Sequence, residues 1–135
     1  IRFNGLAIFY LDGDLGTGKT TLVREILKAM GWKGAVKSPT FSILEEYYIA
    51  DKDIFHYDLY RLENQNYFEM LGVEINENSK VILFIEWTEK ISNFNFGEEF
   101  FLKLSLSGQN RSIELQTNNK KFLNCINRIN INNPI

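Results

Sequence analysis

The sequence predicts an α/β protein, a three-layer fold around a mixed sheet with parallel strands at its centre and antiparallel strands toward the C-terminus. Three observations predict it. Two apolar runs without alternation, LAIFYL (6–11) and VILFIEW (81–87), suit strands covered on both faces, as in a parallel sheet. A glycine-rich segment follows the first run and opens a stretch of helical periodicity. Later, FFLKLSLS and RSIELQT flank Gly108-Gln109-Asn110, which is a hairpin signal.

The elements follow in order. After the first strand, Leu22, Val23, Ile26, Leu27 and Met30 recur at helical spacing from Lys19 onward, and Gly31 is a stop signal. SPTFSILEEYYIA then reads as a proline-containing loop leading into a strand, and IFHYDLYR (54–61) as another strand by its aromatic and β-branched content. A short helix is expected over 66–71, ending at Gly72. In the tail, Phe122, Cys125, Ile126 and Ile129 fall on one helical stripe, which reads as core packing.

Composition narrows the class. At 135 residues and 44% hydrophobic content, the chain has room for one core, and 1–135 is expected to form a single domain. A net charge of −2 and a pI near 5.5 give no steer toward nucleic acid or an anionic membrane. The single cysteine, Cys125, excludes an internal disulfide and fits a reducing compartment. No apolar run approaches the roughly 18 residues that span a bilayer. There is no signal-peptide pattern, so the expectation is a cytoplasmic protein with no membrane association.

The chemistry concentrates in GDLGTGKT, where Gly13, Gly18, Lys19 and Thr20 match the phosphate-loop pattern G-x-x-x-x-G-K-[ST]. Glycines let successive backbone N–H groups turn toward phosphate oxygens, and the following helix adds its N-terminal dipole and free donors. Lys19 is placed for the β and γ phosphates and the Thr20 hydroxyl for Mg²⁺. The residue frequencies of this chain give about a 0.4% chance of a random match. Asp14, Leu15, Gly16, Thr17 and Thr21 complete the loop as candidate contacts.

A phosphate loop needs an acid to organise magnesium, commonly at the end of a neighbouring apolar strand. Glu86, which closes VILFI, is the candidate. Asp58 is a second. Along IFHYDLYR, the residues His56, Asp58 and Tyr60 share one face, and Phe55, Tyr57 and Leu59 share the other. The polar face suits a site, and it equally suits a half-exposed strand. A lone His56 would ordinarily be structural.

Taken in order, these residues resemble the TsaE family, P-loop NTPase-like ATPases of bacterial threonylcarbamoyladenosine synthesis on tRNA. The resemblance rests on GDLGTGKTTLVRE, VKSPTFSILEEY, HYDLYRLEN, LGVEI and LFIEWTEKI, which run from Gly13 to about Ile91 in the family's order. It implies ATP and Mg²⁺ as cofactors and a TsaB–TsaD complex as partner, with tRNA reached only through that complex. It implies Lys19 and Thr20 on phosphate and Mg²⁺, Glu86 as the magnesium acid, and Thr40 in a switch-like loop near the γ-phosphate. Asp58 and Trp87 stand at positions the family uses for activity, and Arg111 matches a late arginine associated with nucleotide. A surface strand charge accounts for Arg111 equally well. Two departures are visible. Thr17 stands where the family typically has Ala, and the family's helix ahead of the first strand is expected to be absent.

Two other readings stand beside this one. A small-molecule kinase on the same fold needs a lid with several arginines, and this chain has five Arg in all. A nucleotide-gated adaptor without significant turnover shares the loop and overlaps the family reading. A regulatory GTPase lacks its guanine-reading Asn-Lys-x-Asp segment here.

Overall fold

The two apolar runs become neighbours at the middle of one sheet. The computed structural model of the chain describes residues 5–14, 16–36, 44–60, 80–87 and 98–117. Strand β1 (Gly5–Asp12) is followed by helix α1 (Lys19–Ala29), then β2 (Leu44–Ile49), β3 (Lys52–Asp58), β4 (Lys80–Glu86), β5 (Glu98–Ser107) and β6 (Asn110–Thr117). The sheet order is β2-β3-β4-β1-β5-β6. Strand β1 is parallel to β4 and β5, and β3 is parallel to β4, while β2 and β6 close the edges in antiparallel pairs.

Both faces of the central strands are buried, which is why their sequences do not alternate. On one face Leu6, Ile8, Tyr10, Val81, Leu83 and Ile85 pack with Tyr57 and Leu59. On the other, Leu11, Ile54, Ile82 and Phe84 meet Val23 and Leu27 of α1. Leu22, Ile26 and Met30 flank that contact half-buried, so the helical stripe read from the sequence is the packed one. Phe9 stacks on both Phe84, at 5.2 Å between ring centroids, and Phe100, at 4.6 Å, and so ties three neighbouring strands together.

The hairpins are tight. Ala50 and Asp51 join β2 to β3 with φ of 49° and 63°, the doubly left-handed two-residue loop whose twist matches the strands. Lys80 meets the Asp51 carboxylate at 2.9 Å, and this contact holds that carboxyl below its ordinary range. In the second hairpin Ser107 already pairs with Asn110, so the loop is Gly108-Gln109 alone.

Two expectations change. FFLKLSLS is not wholly antiparallel, because β5 runs parallel to β1 along its other side. IFHYDLYR stops being strand at Asp58 rather than Arg61. The reason is local. The Asp58 carboxylate accepts the Tyr60 N–H at 3.1 Å, an Asx-type turn that takes this donor for the Asp58 side chain. The helix expected over 66–71, the loop holding Thr40, Leu15 and the C-terminal stripe lie outside the described residues.

Burial ranks the aromatic positions. Phe84 is 1% exposed at the centre of the stack, whereas Phe55 is only half-buried at the margin of its cluster. Phe84→Ala should therefore lower stability by about 3–5 kcal/mol, and Phe55→Ala by clearly less. Urea denaturation of the two variants checks the order, and equal losses would contradict this account of the core.

Candidate functional site

Parallel sheets offer their ligand sites at the carboxyl ends of the strands, and this chain collects its charged groups there. Strand β1 ends at Asp12, the loop turns back, and α1 begins at Lys19. Gly18 caps the helix in the left-handed region, at φ 97°, and no side chain caps the first turn. The N–H groups at that end are thus left for an outside acceptor. Thr17 closes the loop by donating its hydroxyl to the Asp14 carbonyl at 2.8 Å, while its own N–H reaches the same oxygen at 3.2 Å.

Glycine is required at two points, at Gly13 by the space around it and at Gly18 by its left-handed backbone. A Cβ on Gly13 would lie 2.7 Å from Thr17 Oγ1 and 2.8 Å from the Leu104 carbonyl. A Cβ on Gly18 would lie 2.8 Å from Arg111 Nη1. The second clash locates Arg111: its guanidinium, carried on an edge strand far along the chain, lies against the phosphate loop.

Glu86 is the hub. It is 3% exposed at the end of β4, and the pleat points it to the same face as Ile82, Phe84 and α1. Its Oε2 accepts the Thr20 hydroxyl at 3.1 Å and lies 2.5 Å from His56 Nε2. Register sets Asp58 directly beside Glu86 on the neighbouring strand. Partial burial pushes the Asp58 carboxyl above its ordinary value of 3.8, with the Glu86 charge adding to the rise. The Tyr60 N–H, His56 and Lys19 pull it the other way.

Lys19, expected from the sequence to meet phosphate, is 6% exposed. Its ammonium donates to the Gly13 carbonyl at 2.5 Å and sits 3.7 Å from the centroid of the Trp87 ring. Desolvated ammonium over an indole face is a favourable cation–π arrangement. Trp87 itself has φ of 62°, a left-handed backbone that a bulky residue adopts at a cost of about 1–3 kcal/mol. Tyr60, half exposed, lies against it with ring centroids 4.9 Å apart.

The structure therefore brings Gly13, Gly18, Lys19, Thr20, Asp58, Glu86, Trp87 and Arg111 to one end of the sheet. Asp14, Gly16 and Thr21 sit exposed around the loop, and Thr17 is buried beneath it. The face shared by His56 and Asp58 is turned toward the site rather than to open solvent, since His56 is 0% exposed. The sequence reading places His56 on the polar face but takes a lone histidine there as structural. Its position two residues before Asp58, on the same face, was the available signal.

The donor set fits a magnesium–nucleotide pair. Thr20 and Glu86 supply hard oxygens side by side, and among the described residues no cluster of three or more His, Cys, Asp or Glu is placed to hold a metal by itself. Magnesium is commonly bound in just this sparse way, by one or two protein oxygens together with phosphate and water.

Comparison with known proteins agrees with the geometry. The family model for threonylcarbamoyl adenosine biosynthesis protein TsaE matches residues 2–120. A Haemophilus influenzae protein named tRNA threonylcarbamoyladenosine biosynthesis protein TsaE is 44% identical over 111 residues, covering 81% of this chain and 70% of that one. Proteins of the same name from Rickettsia conorii and Bacillus subtilis are 45% and 34% identical. Those matches cover 64% and 62% of this chain and about half of the relatives' own length, at 49% and 52%. A crystal structure of YdiB from Bacillus subtilis superposes with a TM-score of 0.63 over 93% of this chain and 77% of that one, at 20% identity, which supports the fold. A family match over residues 2–120, on a phosphate loop assembled with Glu86, means that the chain belongs to the TsaE family.

Proposed function

We propose that this chain binds and hydrolyses Mg·ATP in support of tRNA threonylcarbamoyladenosine synthesis. The observation that carries the reading is the Thr20–Glu86 hydrogen bond at 3.1 Å, one residue after the phosphate-loop lysine. It joins the hydroxyl and the carboxylate that would hold a magnesium ion beside the nucleotide's phosphates. When bound, the ion would neutralise charge developing on the phosphate oxygens and template the nucleotide's orientation.

The chain's own residues supply the rest. The uncapped N-terminus of α1 and the Gly13–Gly18 turn bind phosphate oxygens through backbone N–H groups. Lys19 leaves the Gly13 carbonyl and the Trp87 ring to pair with the β and γ phosphates. Arg111, lying against Gly18, adds a second cation at the rim. Asp58 lies next to Glu86 and serves as a proton acceptor or water-orienting group. Thr40 is assigned to the γ-phosphate by resemblance. A kinase lid needs several arginines, and this chain has five in all. That favours hydrolysis over transfer to a small molecule.

Three tests follow from the site. Lys19→Ala should weaken nucleotide binding by at least ~10-fold, the value of a lost charge-assisted bond. Glu86→Gln should retain ATP binding at saturating Mg²⁺ and lower hydrolysis by about 100-fold, because only metal organisation changes. Titration calorimetry and phosphate release read these effects separately, and wild-type hydrolysis in Glu86→Gln would sink the magnesium assignment.

Asp58→Asn should abolish most activity without unfolding the chain. The pH dependence has a definite sign. A carboxyl whose folded pKa is raised contributes stability below its unfolded value and loses it as pH rises through the folded value. At neutral pH the Asp58 charge is therefore a net cost, and Asp58→Asn should be at least as stable as wild type. That advantage should shrink as pH falls toward 3.8, the ordinary value of the group. Urea denaturation across that range checks it, and a variant that loses ground at neutral pH would show that the carboxylate holds the fold together.

The partner assignment rests on family membership and on one physical point. A phosphate loop alone leaves much of its transition-state charge uncompensated, so turnover by the isolated chain should be slow. Adding TsaB and TsaD should raise the rate of phosphate release, and Thr40→Ala should blunt the increase. Rapid turnover unchanged by the two proteins would favour an independent enzyme.

A further inference from the structure

The site holds one group with no part in the reaction just described. His56 lies on β3, in register with Phe84 of β4 and on the same face as Asp58, and none of its surface reaches solvent. Its Nε2 is 2.5 Å from Glu86 Oε2. On the Mg·ATP reading Glu86 serves as a carboxylate with no proton to give, which makes the imidazole the donor. The second ring nitrogen, Nδ1, is buried and has no hydrogen-bond partner among the described residues. A ring that merely filled the core would bury an unpaired nitrogen for nothing, where an apolar side chain of similar size avoids that loss. The contact that justifies the residue is therefore the one on Glu86.

The other contact on Glu86 is less rigid. Thr20 donates a freely rotating hydroxyl, 3.1 Å from Oε2 and 3.4 Å from Oε1, and that hydroxyl is itself required by the cation. The imidazole is different, since it is a planar ring fixed on a central strand pair with a single donor aimed at one oxygen.

We propose that His56 is a positioning residue for magnesium: its Nε2–H pins Glu86 Oε2 and leaves Oε1 for the cation or its water. Partners that orient a metal-binding side chain in this way typically account for about 10–100-fold in metal affinity. The inference rests on the Mg·ATP reading of the site and adds to it the group that sets the geometry of the metal's carboxylate.

Nucleotide binding by the full chain, titrated by calorimetry with ATP at a series of Mg²⁺ concentrations and in chelator, tests it without relying on turnover. His56→Leu removes the donor, while His56→Gln keeps an amide N–H near the place of Nε2. His56→Leu should raise the Mg²⁺ concentration for half-maximal effect by about 10-fold or more, while leaving metal-free ATP affinity within about 2-fold. His56→Gln should restore the Mg²⁺ requirement to within about 3-fold of wild type. An unchanged Mg²⁺ requirement in His56→Leu would overturn the proposal. So would parallel losses with and without metal, or a glutamine variant as poor as leucine, because either pattern marks simple packing. If the leucine variant does not fold, His56→Asn replaces it. Its shorter amide falls short of Glu86, and a Mg²⁺ requirement equal to that of His56→Gln would count against positioning. Wild-type ATP binding indifferent to Mg²⁺ would overturn the function reading as well, whereas Mg²⁺-dependent binding with unaltered His56 variants overturns this inference alone.

Discussion

The parallel pairing of β1 with β4 is the constraint on which the site depends. Leu11 stands opposite Glu86 in that ladder, so the strand that feeds the glycine-rich loop and the strand that ends in Glu86 finish level with each other. Thr20 and Glu86 are 66 residues apart in sequence and share a hydrogen bond because of it. A slip of one residue in β4 would turn Glu86 to the opposite face, away from α1, and bring Ile85 toward the loop. The apolar clusters on the two faces prevent that slip, since it would exchange the side chains of each cluster. Packing in the middle of the sheet thereby fixes chemistry at its end.

Polar groups within the loop already have partners. Lys19 rests on the Gly13 carbonyl and the Trp87 ring, and Thr20 rests on Glu86. Each contact satisfies a buried or half-buried polar group that would otherwise be stranded. On the proposed reading each is also replaceable by a phosphate oxygen or a cation. The left-handed backbone of Trp87 fits the same logic, because it holds an aromatic face where the ammonium can wait.

Much of this was legible in the sequence, for physical reasons. LAIFYL and VILFIEW declare central strands because a strand covered on both sides has no polar face to show. GDLGTGKT declares its loop because few other residues permit the turns, as the space around Gly13 and the left-handed backbone of Gly18 demonstrate. Arg111 was open between nucleotide and surface charge, and only the fold places it against Gly18. His56 was less readable. Period-two alternation tells which residues share a face, but whether that face is wet or dry depends on what the neighbouring strands bring, and Glu86 arrives from 30 residues away. The parallel set of β5 was also hidden, because a strand's own pattern does not record the direction of the partner on its far side.

Charge balance gives the site its final constraint. Two carboxylates, Asp58 and Glu86, stand in register at the ends of adjacent strands, and burial has already made the Asp58 charge costly. A triphosphate brought to the same place would add several negative charges in a region of reduced dielectric, where like-charge repulsion is strong. Lys19, Arg111 and the α1 N-terminus offset part of that. On the proposed reading a divalent cation between Glu86 and the phosphates offsets the remainder, and without it the acid and the nucleotide repel each other. On that reading nucleotide binding is conditional on metal, and the condition is strictest where Glu86 is held still.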